Sequence, residues 1–453
     1  MTTLKLRRIR FTDDDAAGEL LQLRRRLSLQ ADVVSPRGRA LTEKVFGSAL
    51  TPGQVVERIC RDVREQGIKA VLRYGEQLDN RKLTTETLRV ATADLLTAHK
   101  AAAPEYLKAL RSIRQRILAF QSGLVHNDAR YVVHGKFELG LRYRPHRRIG
   151  ICVPGGAAAY PSTLLMTVIP AQAAGVTEIV VVMPPTPNGA YNPDMLATCR
   201  ELGVSEVYRM GGAQAVAALA YGIADVPPVD MIVGPGNLFV TLAKKHVWGT
   251  VAIDCLAGPS EVVVLADEST NPEYVAADLI AQAEHDPASS ILITWHEPLL
   301  DAVEKALDRQ LAKLPRGDLA RHCLEEFGAL VLAETPAEAA RWTSEIGPEH
   351  LHIAAAAPEK LAERIDNAGA IFLGHHTPVA LGDYAAGPSH VLPTGGTARF
   401  ASGLSALDFF RKTSILKFTE SGIADLASDV RILAHKEGLT AHAASVDIRI
   451  PKG

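Results

Sequence analysis

Residues Ile253 to His285 read IDCLAGPSEVVVLADESTNPEYVAADLIAQAEH. The stretch divides into a corner, a buried strand and an amphipathic helix. Gly258 and Pro259 turn the chain ahead of Ser260, and Glu261 opens the apolar run Val262, Val263, Val264, Leu265. An apolar run of that length between turn signals reads as a strand covered on both faces. Asn271-Pro272 then starts a helix, with Asn as the cap and Pro at the first helical position. Gln282 and His285 stand three residues apart near its end, a spacing that puts both on one helix face. Such a pair could hold one ion, although a Gln/His pair at helical spacing is more often a solvated or hydrogen-bonded face.

Working outward, Arg148 to Val247 carries the same texture. Strands are expected at Ile149–Val153, Glu178–Met183, Glu206–Met210 and Met231–Val233, each followed by a tight corner and a helix. The corners are Pro154-Gly155-Gly156, Gly211-Gly212 and Gly234-Pro235-Gly236. Strand, corner and helix in repetition imply a parallel sheet with helices on both faces. Ligands of such sheets sit beyond the carboxyl ends of the strands, where helix-start N–H groups can hold phosphate. No GxGxxG occurs, so these glycines read equally as a dinucleotide site or as plain turns. After Ser260 the alternation continues, with strands at Ile291–Trp295, Leu330–Leu332 and Ala370–Leu373. A long Gly/Pro-rich stretch from Thr377 to Ser402 carries Asp383 and His390, and loops of that length are usually functional or interfacial. A helix near Glu420 to His435 leads to Glu437 and His442.

The chain has 453 residues, 47% hydrophobic and 22% charged, enough for two or three domains with ample core. A net charge of -2 gives no argument for nucleic acid or an anionic membrane. The five cysteines are scattered and form no CxxC, which fits a reduced cytosolic compartment. No apolar run approaches the roughly 20 residues of a membrane span. The basic run RYRPHRR, Arg142 to Arg148, invites a phosphate-binding reading or a solvated basic face.

Zinc takes four ligands, mostly Cys, His and carboxylates. Without a local Cys/His cluster, a site must be assembled from distant segments, and His285, Asp383, His390 and His442 lie in suitable polar contexts. Glu349 and His350 are neighbours at the entrance to a strand. A histidine beside a carboxylate suits general acid–base work, and an isolated Glu-His pair is also commonly an exposed pair contacting nothing.

These residues together resemble the histidinol dehydrogenase family. The opening stretch is similar to that family's signature, and VPGGAAAYPSTLLM, MGGAQAVAALAYG, VGPGNLFVTLAKK, GPEHL, GDYAAGPSHVLPTGGTARFASGLS and EGLTAH follow the family's order. The resemblance implies an α/β fold with two Rossmann-like parallel-sheet domains, an N-terminal arm and a small C-terminal dimerisation segment. Its implied divisions are an arm, 1–48; a zinc and substrate domain, 49–147 and 260–403; an NAD-binding domain, 148–259; and a dimerisation segment, 404–453. It further implies a cytoplasmic homodimer that oxidises L-histidinol to L-histidine with NAD and one zinc ion per active site. The implied zinc ligands are Gln282, His285, Asp383 and His442, and the catalytic pair is Glu349 and His350. Ser260, His390 and Glu437 would help hold the substrate, with Gln214 and Asn237 contacting NAD. A sister dehydrogenase of another small alcohol, such as dihydroxypropanesulfonate, is the alternative on the same scaffold. Cys152, Gly347, Ser389 and His352 depart from the family pattern at places where Tyr, Ala, Asn and an acidic residue are usual.

Overall fold

The computed structural model describes residues 4–13, 15–26, 36–48, 50–156, 158–224, 226–285 and 287–450. The first strands in chain order are β1 (Arg7–Arg10), β2 (Ala129–Val133), β3 (Phe137–Pro145), β4 (Arg148–Cys152) and β5 (Glu178–Met183). They are followed by β6 (Glu206–Arg209), β7 (Met231–Val233), β8 (Ala252–Ile253), β9 (Ser260–Ala266) and β10 (Ala288–Thr294). The last four are β11 (Gly328–Leu332), β12 (His350–Ala354), β13 (Ala370–Leu373) and β14 (Phe410–Phe418). They form a parallel five-stranded sheet, β6-β5-β4-β7-β8, and a parallel six-stranded sheet, β1-β11-β10-β9-β12-β13. A small antiparallel sheet, β14-β3-β2, stands beside them. The expected α/β class and its two parallel sheets are therefore present. Strands β4, β9 and β10 are almost wholly buried, as parallel strands covered by helices on both faces must be.

The helices start where the sequence signals them. Thr51 and Gln54 form a reciprocal capping box at the Pro52–Gln66 helix, and Asn271 caps Pro272–Ala283 with Pro at its start. The latter helix stops at Ala283, so His285 lies one turn residue beyond it; its N–H bonds the Gln282 carbonyl. Residues 92–124 form two helices, Thr92–Ala101 and Pro104–Leu124, since Pro104 has no N–H to continue the first.

Packing shifts the expected division of the chain. Val55, Val56, Ile59 and Val71 share a core with Val180, Leu219 and Ile232, so the helices after residue 51 cover the five-stranded sheet. Leu110 and Ile117 join Ile149 and Leu164 on its other face. The helices within 52–124 thus pack on the sheet expected to bind NAD rather than on the substrate side. The beginning of the chain is likewise more than an arm: β1 pairs with β11 as an edge strand, and Leu20 and Leu23 lie in the core over it.

The basic run also divides. Arg142 and Arg144 are exposed on β3, whereas Arg148 is buried and reaches Glu178 at 3.2 Å and Glu206 at 2.5 Å. Arg148 therefore ties the first residues of β4, β5 and β6 together, which corrects both the phosphate reading and the solvated-face reading at that position. In the C-terminal segment β14 pairs with β3, and the helices Glu420–Lys436 and Thr440–Asp447 pack against each other. Large apolar side chains are left in the open there, with Leu416 67%, Leu433 63% and Ile448 82% exposed.

The two parallel sheets are joined through Asp254–Pro259, between the end of β8 and the start of β9. Asp254 forms a fully buried ion pair with Lys244, each side chain 2% exposed. The turn after β7 bonds to both: Gly234 N–H donates to Asp254 Oδ2 at 2.7 Å, and Lys244 Nζ donates to the Gly234 carbonyl at 3.0 Å. Gly234 has φ +103°, and a Cβ there would stand 2.3 Å from the Cys152 carbonyl oxygen, so no other residue fits. Lys244→Met strands a buried carboxylate and should cost about 3–5 kcal/mol, read as a lower denaturant midpoint. Replacing both partners, Lys244→Met with Asp254→Leu, should recover much of that loss. An unchanged midpoint in the single variant would contradict the assignment.

Candidate active site

The site forms at amino ends, not carboxyl ends, of the six-stranded sheet. Ser260 begins β9 and His350 begins β12, and the two strands pair side by side with His350 opposite Val262. The Pro272–Ala283 helix follows β9 and runs back along the sheet, so its last turn returns to these same amino ends and brings Gln282 with it. The strands of the five-stranded sheet run into the glycine corners.

Glu349 and His350 are both buried. Glu349 Oε2 accepts from the Ser260 hydroxyl and from the Glu261 N–H at 2.9 Å. Burial outweighs these bonds and pushes the Glu349 carboxyl up to about 8. His350 Nδ1 stands 3.1 Å from the Glu261 carbonyl oxygen. A carbonyl only accepts, so Nδ1 carries the proton and Nε2 is left as the basic nitrogen. Burial holds His350 below its ordinary value, and hence neutral, although Asp383 pulls the other way. Nε2 faces Asp383 Oδ1 at 3.7 Å. The arrangement provides a neutral base and a carboxyl titrating near working pH, side by side.

Asp383 comes from a short helix, Val379–Tyr384, that contacts the Pro272–Ala283 helix. Burial raises its carboxyl, and its backbone carbonyl accepts from His390 Nδ1 at 2.9 Å. Burial pushes His390 down to about 4, so this ring too is neutral. His285, His350 and His390 are near enough to feel one another's charge. Gln282 is buried with its Nε2 unpartnered. Ser260, Gln282, His285, Glu349, His350, Asp383 and His390 thus gather from five separate segments. Among the described residues, no three His, Cys, Asp or Glu side chains stand close enough to hold a metal. The unsatisfied amide of Gln282, three residues before His285, gives a pair with zinc-type donor chemistry.

Other expected residues lie elsewhere. Glu437 and His442 are exposed in the C-terminal helices, and among the described residues neither side chain is hydrogen-bonded or ion-paired to the site. Gln214 is buried under the Gly211-Gly212 corner, where its Nε2 bonds Asp79 at 3.2 Å and its Oε1 is unpartnered. Asn237 caps the Leu238–Val247 helix, its Oδ1 accepting from the Phe239 and Val240 N–H groups. The residues that depart from the family pattern have defined places in the fold. Gly347 closes the Pro336–Ile346 helix at φ 57°, ψ 59°, a left-handed position where glycine is at ease. Ser389 donates to the Met166 carbonyl at 2.8 Å, and Cys152 is buried at the end of β4. Glu261, Asp254 and Thr394 escape a sequence reading. Each works through a backbone group of a loop, as when Thr394 Oγ1 accepts from the Gly258 N–H at 2.5 Å, and such roles leave no side-chain pattern in a sequence.

Two parallel sheets, with a buried acid–base pair at the start of one of them, define a two-sheet α/β protein with an enzyme-like site. A family profile described as histidinol dehydrogenase matches residues 48–450. A histidinol dehydrogenase of Rhodopirellula baltica is 60% identical over 438 residues, covering 97% of this chain and 95% of that one. The chain belongs to the histidinol dehydrogenase family, whose members are NAD-linked oxidoreductases. The same name is carried by a Caulobacter vibrioides protein 46% identical over 92% of this chain and 96% of its own length. In solved structures, the histidinol dehydrogenase of Elizabethkingia anophelis superposes with a TM-score of 0.88 at 31% identity, covering 99% of both chains.

The raised Glu349 carboxyl has a consequence for stability. A glutamate in the unfolded chain titrates near about 4.3. The folded chain therefore holds an extra proton from there up to about 8. The stability this proton contributes is complete below the lower value and lost as pH rises through the upper one. Glu349→Gln should remove that decline, so its thermal midpoint should fall less than the parent's between about pH 5 and pH 8. Parallel midpoint curves for the two proteins would show that the carboxyl is not raised.

Proposed function

We propose that the protein oxidises L-histidinol to L-histidine in two NAD-linked steps through an aldehyde, with water consumed in the second. The observation that carries this reading is the buried Glu349–His350 pair in a chain 60% identical, almost end to end, to a protein named histidinol dehydrogenase. His350 Nε2 takes the hydroxyl proton in the first oxidation, since Nδ1–H is committed to the Glu261 carbonyl. Glu349, ionised, takes a proton from the water that adds to the aldehyde; its raised carboxyl places it in the range of a general base. Ser260 and the Glu261 N–H stabilise the ionised form of Glu349 between turnovers. When bound, NAD accepts the hydride in each step. Gln214 and Asn237, at the starts of helices following β6 and β7, are the proposed NAD contacts; the unpartnered Gln214 Oε1 supports the first.

Zinc, when bound, would supply orientation of the substrate. Gln282, His285 and Asp383 would hold it from this chain, and His442 from a second copy. The exposed position of His442 and the bare apolar surface around it support a homodimer with shared sites. His390 and the partner copy's counterpart of Glu437 would complete the substrate pocket, the latter accepting a hydrogen bond from the imidazole. The free, buried cysteines suit the cytoplasm, and among the described residues no helix is long and apolar enough to cross a membrane. The sulfonate alternative has no support: the relatives above all carry the histidinol dehydrogenase name.

His350→Ala should slow the first hydride transfer by roughly 10²–10⁴-fold, while Glu349→Gln chiefly slows aldehyde oxidation. Single-turnover NADH formation started from alcohol and from aldehyde separates the two. Equal losses in both steps for both variants would refute the division of labour. The shared site is tested with mixed dimers of an Asp383→Ala chain and a His442→Ala chain. If His442 crosses, one site carries both defects and the other none, so about half of the parent activity returns in the mixed species. If His442 serves its own chain, mixing restores nothing.

A further inference from the structure

Two residues beyond His350 on β12, His352 points to the same face of the sheet and toward the same helix, one layer deeper. It is 1% exposed. Nδ1 stands 2.6 Å from Asp278 Oδ2, and Nε2 stands 2.9 Å from the Gly374 carbonyl oxygen. Asp278 is itself buried in the Pro272–Ala283 helix, one turn before Gln282. Gly374 follows the end of β13, and its N–H donates to the Ile353 carbonyl at 3.0 Å.

With Asp278 ionised, the chemistry of the two partners fixes the charge of the ring. A backbone carbonyl cannot donate, and neither can an ionised carboxylate. A neutral imidazole has one N–H and could satisfy only one of them, leaving a lone pair against an oxygen on the other side. Both contacts are made together only by an imidazolium donating from both nitrogens. Burial alone would push the ring down, but the bonds to Asp278 and Gly374 outweigh it and hold His352 above its ordinary value. Other ionisable groups nearby are engaged elsewhere: His375 Nε2 lies 3.3 Å from Ser269 Oγ, and Asp267 accepts from the Ala356 N–H at 2.8 Å. His350, the next histidine on the same strand, is neutral and bonded to Glu261.

We propose that His352 is a positioning residue: as a buried imidazolium it pins the Pro272–Ala283 helix to β12 and to the end of β13, and so sets where Gln282 and His285 stand relative to His350. The helix reaches the site only through its last turn, and Asp278 is the charged anchor one turn earlier. A shift of that helix moves Gln282 and His285 while leaving Glu349 and His350, which sit on the strand, in place. The effect of losing the anchor should therefore fall on zinc retention and substrate binding more than on the chemical step. The proposal rests on Gln282 and His285 being zinc ligands.

The test pairs one variant with its compensated double. His352→Gln keeps one donor but loses the charge and faces Asp278 with an amide. It should release zinc to a chelator roughly tenfold faster than the parent and raise the KM for L-histidinol more than it lowers kcat. D278N/H352Q rebuilds the bridge from neutral groups: the helix-side amide donates to the strand-side amide oxygen, and the strand-side N–H reaches the Gly374 carbonyl. It should restore most of both losses. Parent-like zinc release and KM in the single variant, or a double variant as impaired as the single, would overturn the proposal. Nitrogen NMR of the unsubstituted enzyme labelled in histidine gives a readout independent of variants and of zinc. Both His352 ring nitrogens should be protonated at neutral pH, and a single protonated nitrogen would overturn the proposal. If the parent holds no zinc, the ligand assignment fails by itself, while the ring nitrogens and the histidinol KM still decide the role of His352.

Discussion

Lys244 and Asp254 face each other with almost no exposed surface, and the Gly234 turn bonds to both. Asp254 opens the linker that leaves the carboxyl end of one sheet and enters the amino end of the other. The linker is held again further on, where Thr241 Oγ1 donates to the Ala257 carbonyl at 2.7 Å and Gly258 N–H donates to Thr394. Because two buried opposite charges tolerate little displacement, the direction in which Ser260 enters β9 is fixed. Ser260 and Glu261 in turn hold Glu349, and the Glu261 carbonyl holds His350. The acid–base pair is thus positioned through a chain of contacts that begins in the neighbouring sheet.

The two sheets meet with opposite polarity at their junction. The five-stranded sheet presents carboxyl ends and the helix starts that follow them. The six-stranded sheet presents amino ends and the last turn of a helix, where side chains rather than backbone N–H groups face the cleft. Histidines, glutamine and carboxylates collect on that side.

Much of this architecture is legible because the parallel strands are uniformly apolar and the corners between them are marked by glycine and proline. EIVVVM and EVVVLA declare themselves as strands covered on both faces. The small antiparallel sheet is not legible. RYRP on β3 and FRKTSILKF on β14 are largely exposed, and strands with no fully covered face show neither an apolar run nor a clean alternation. Glu349, His350, Asp383 and His390 can be picked as candidates from residue type and turn context, but their convergence depends on strand pairing that periodicity does not specify. Arg148 is hidden for a related reason: a basic run looks solvated until the carboxylates that bury its last member, Glu178 and Glu206, are brought beside it by the sheet. Gly347 and Ser389, which stand out against the family pattern, sit at a helix end and against a carbonyl.

The shortness of the linker has a further bearing on the junction. A tether of a few residues keeps its two ends together at an effective concentration in the millimolar range or above, whatever the affinity of the surfaces for each other. Faces joined in this way need not be adhesive to remain in register. The junction can therefore carry Ser260, Thr394, Glu349 and His350, polar side chains held by their own hydrogen bonds.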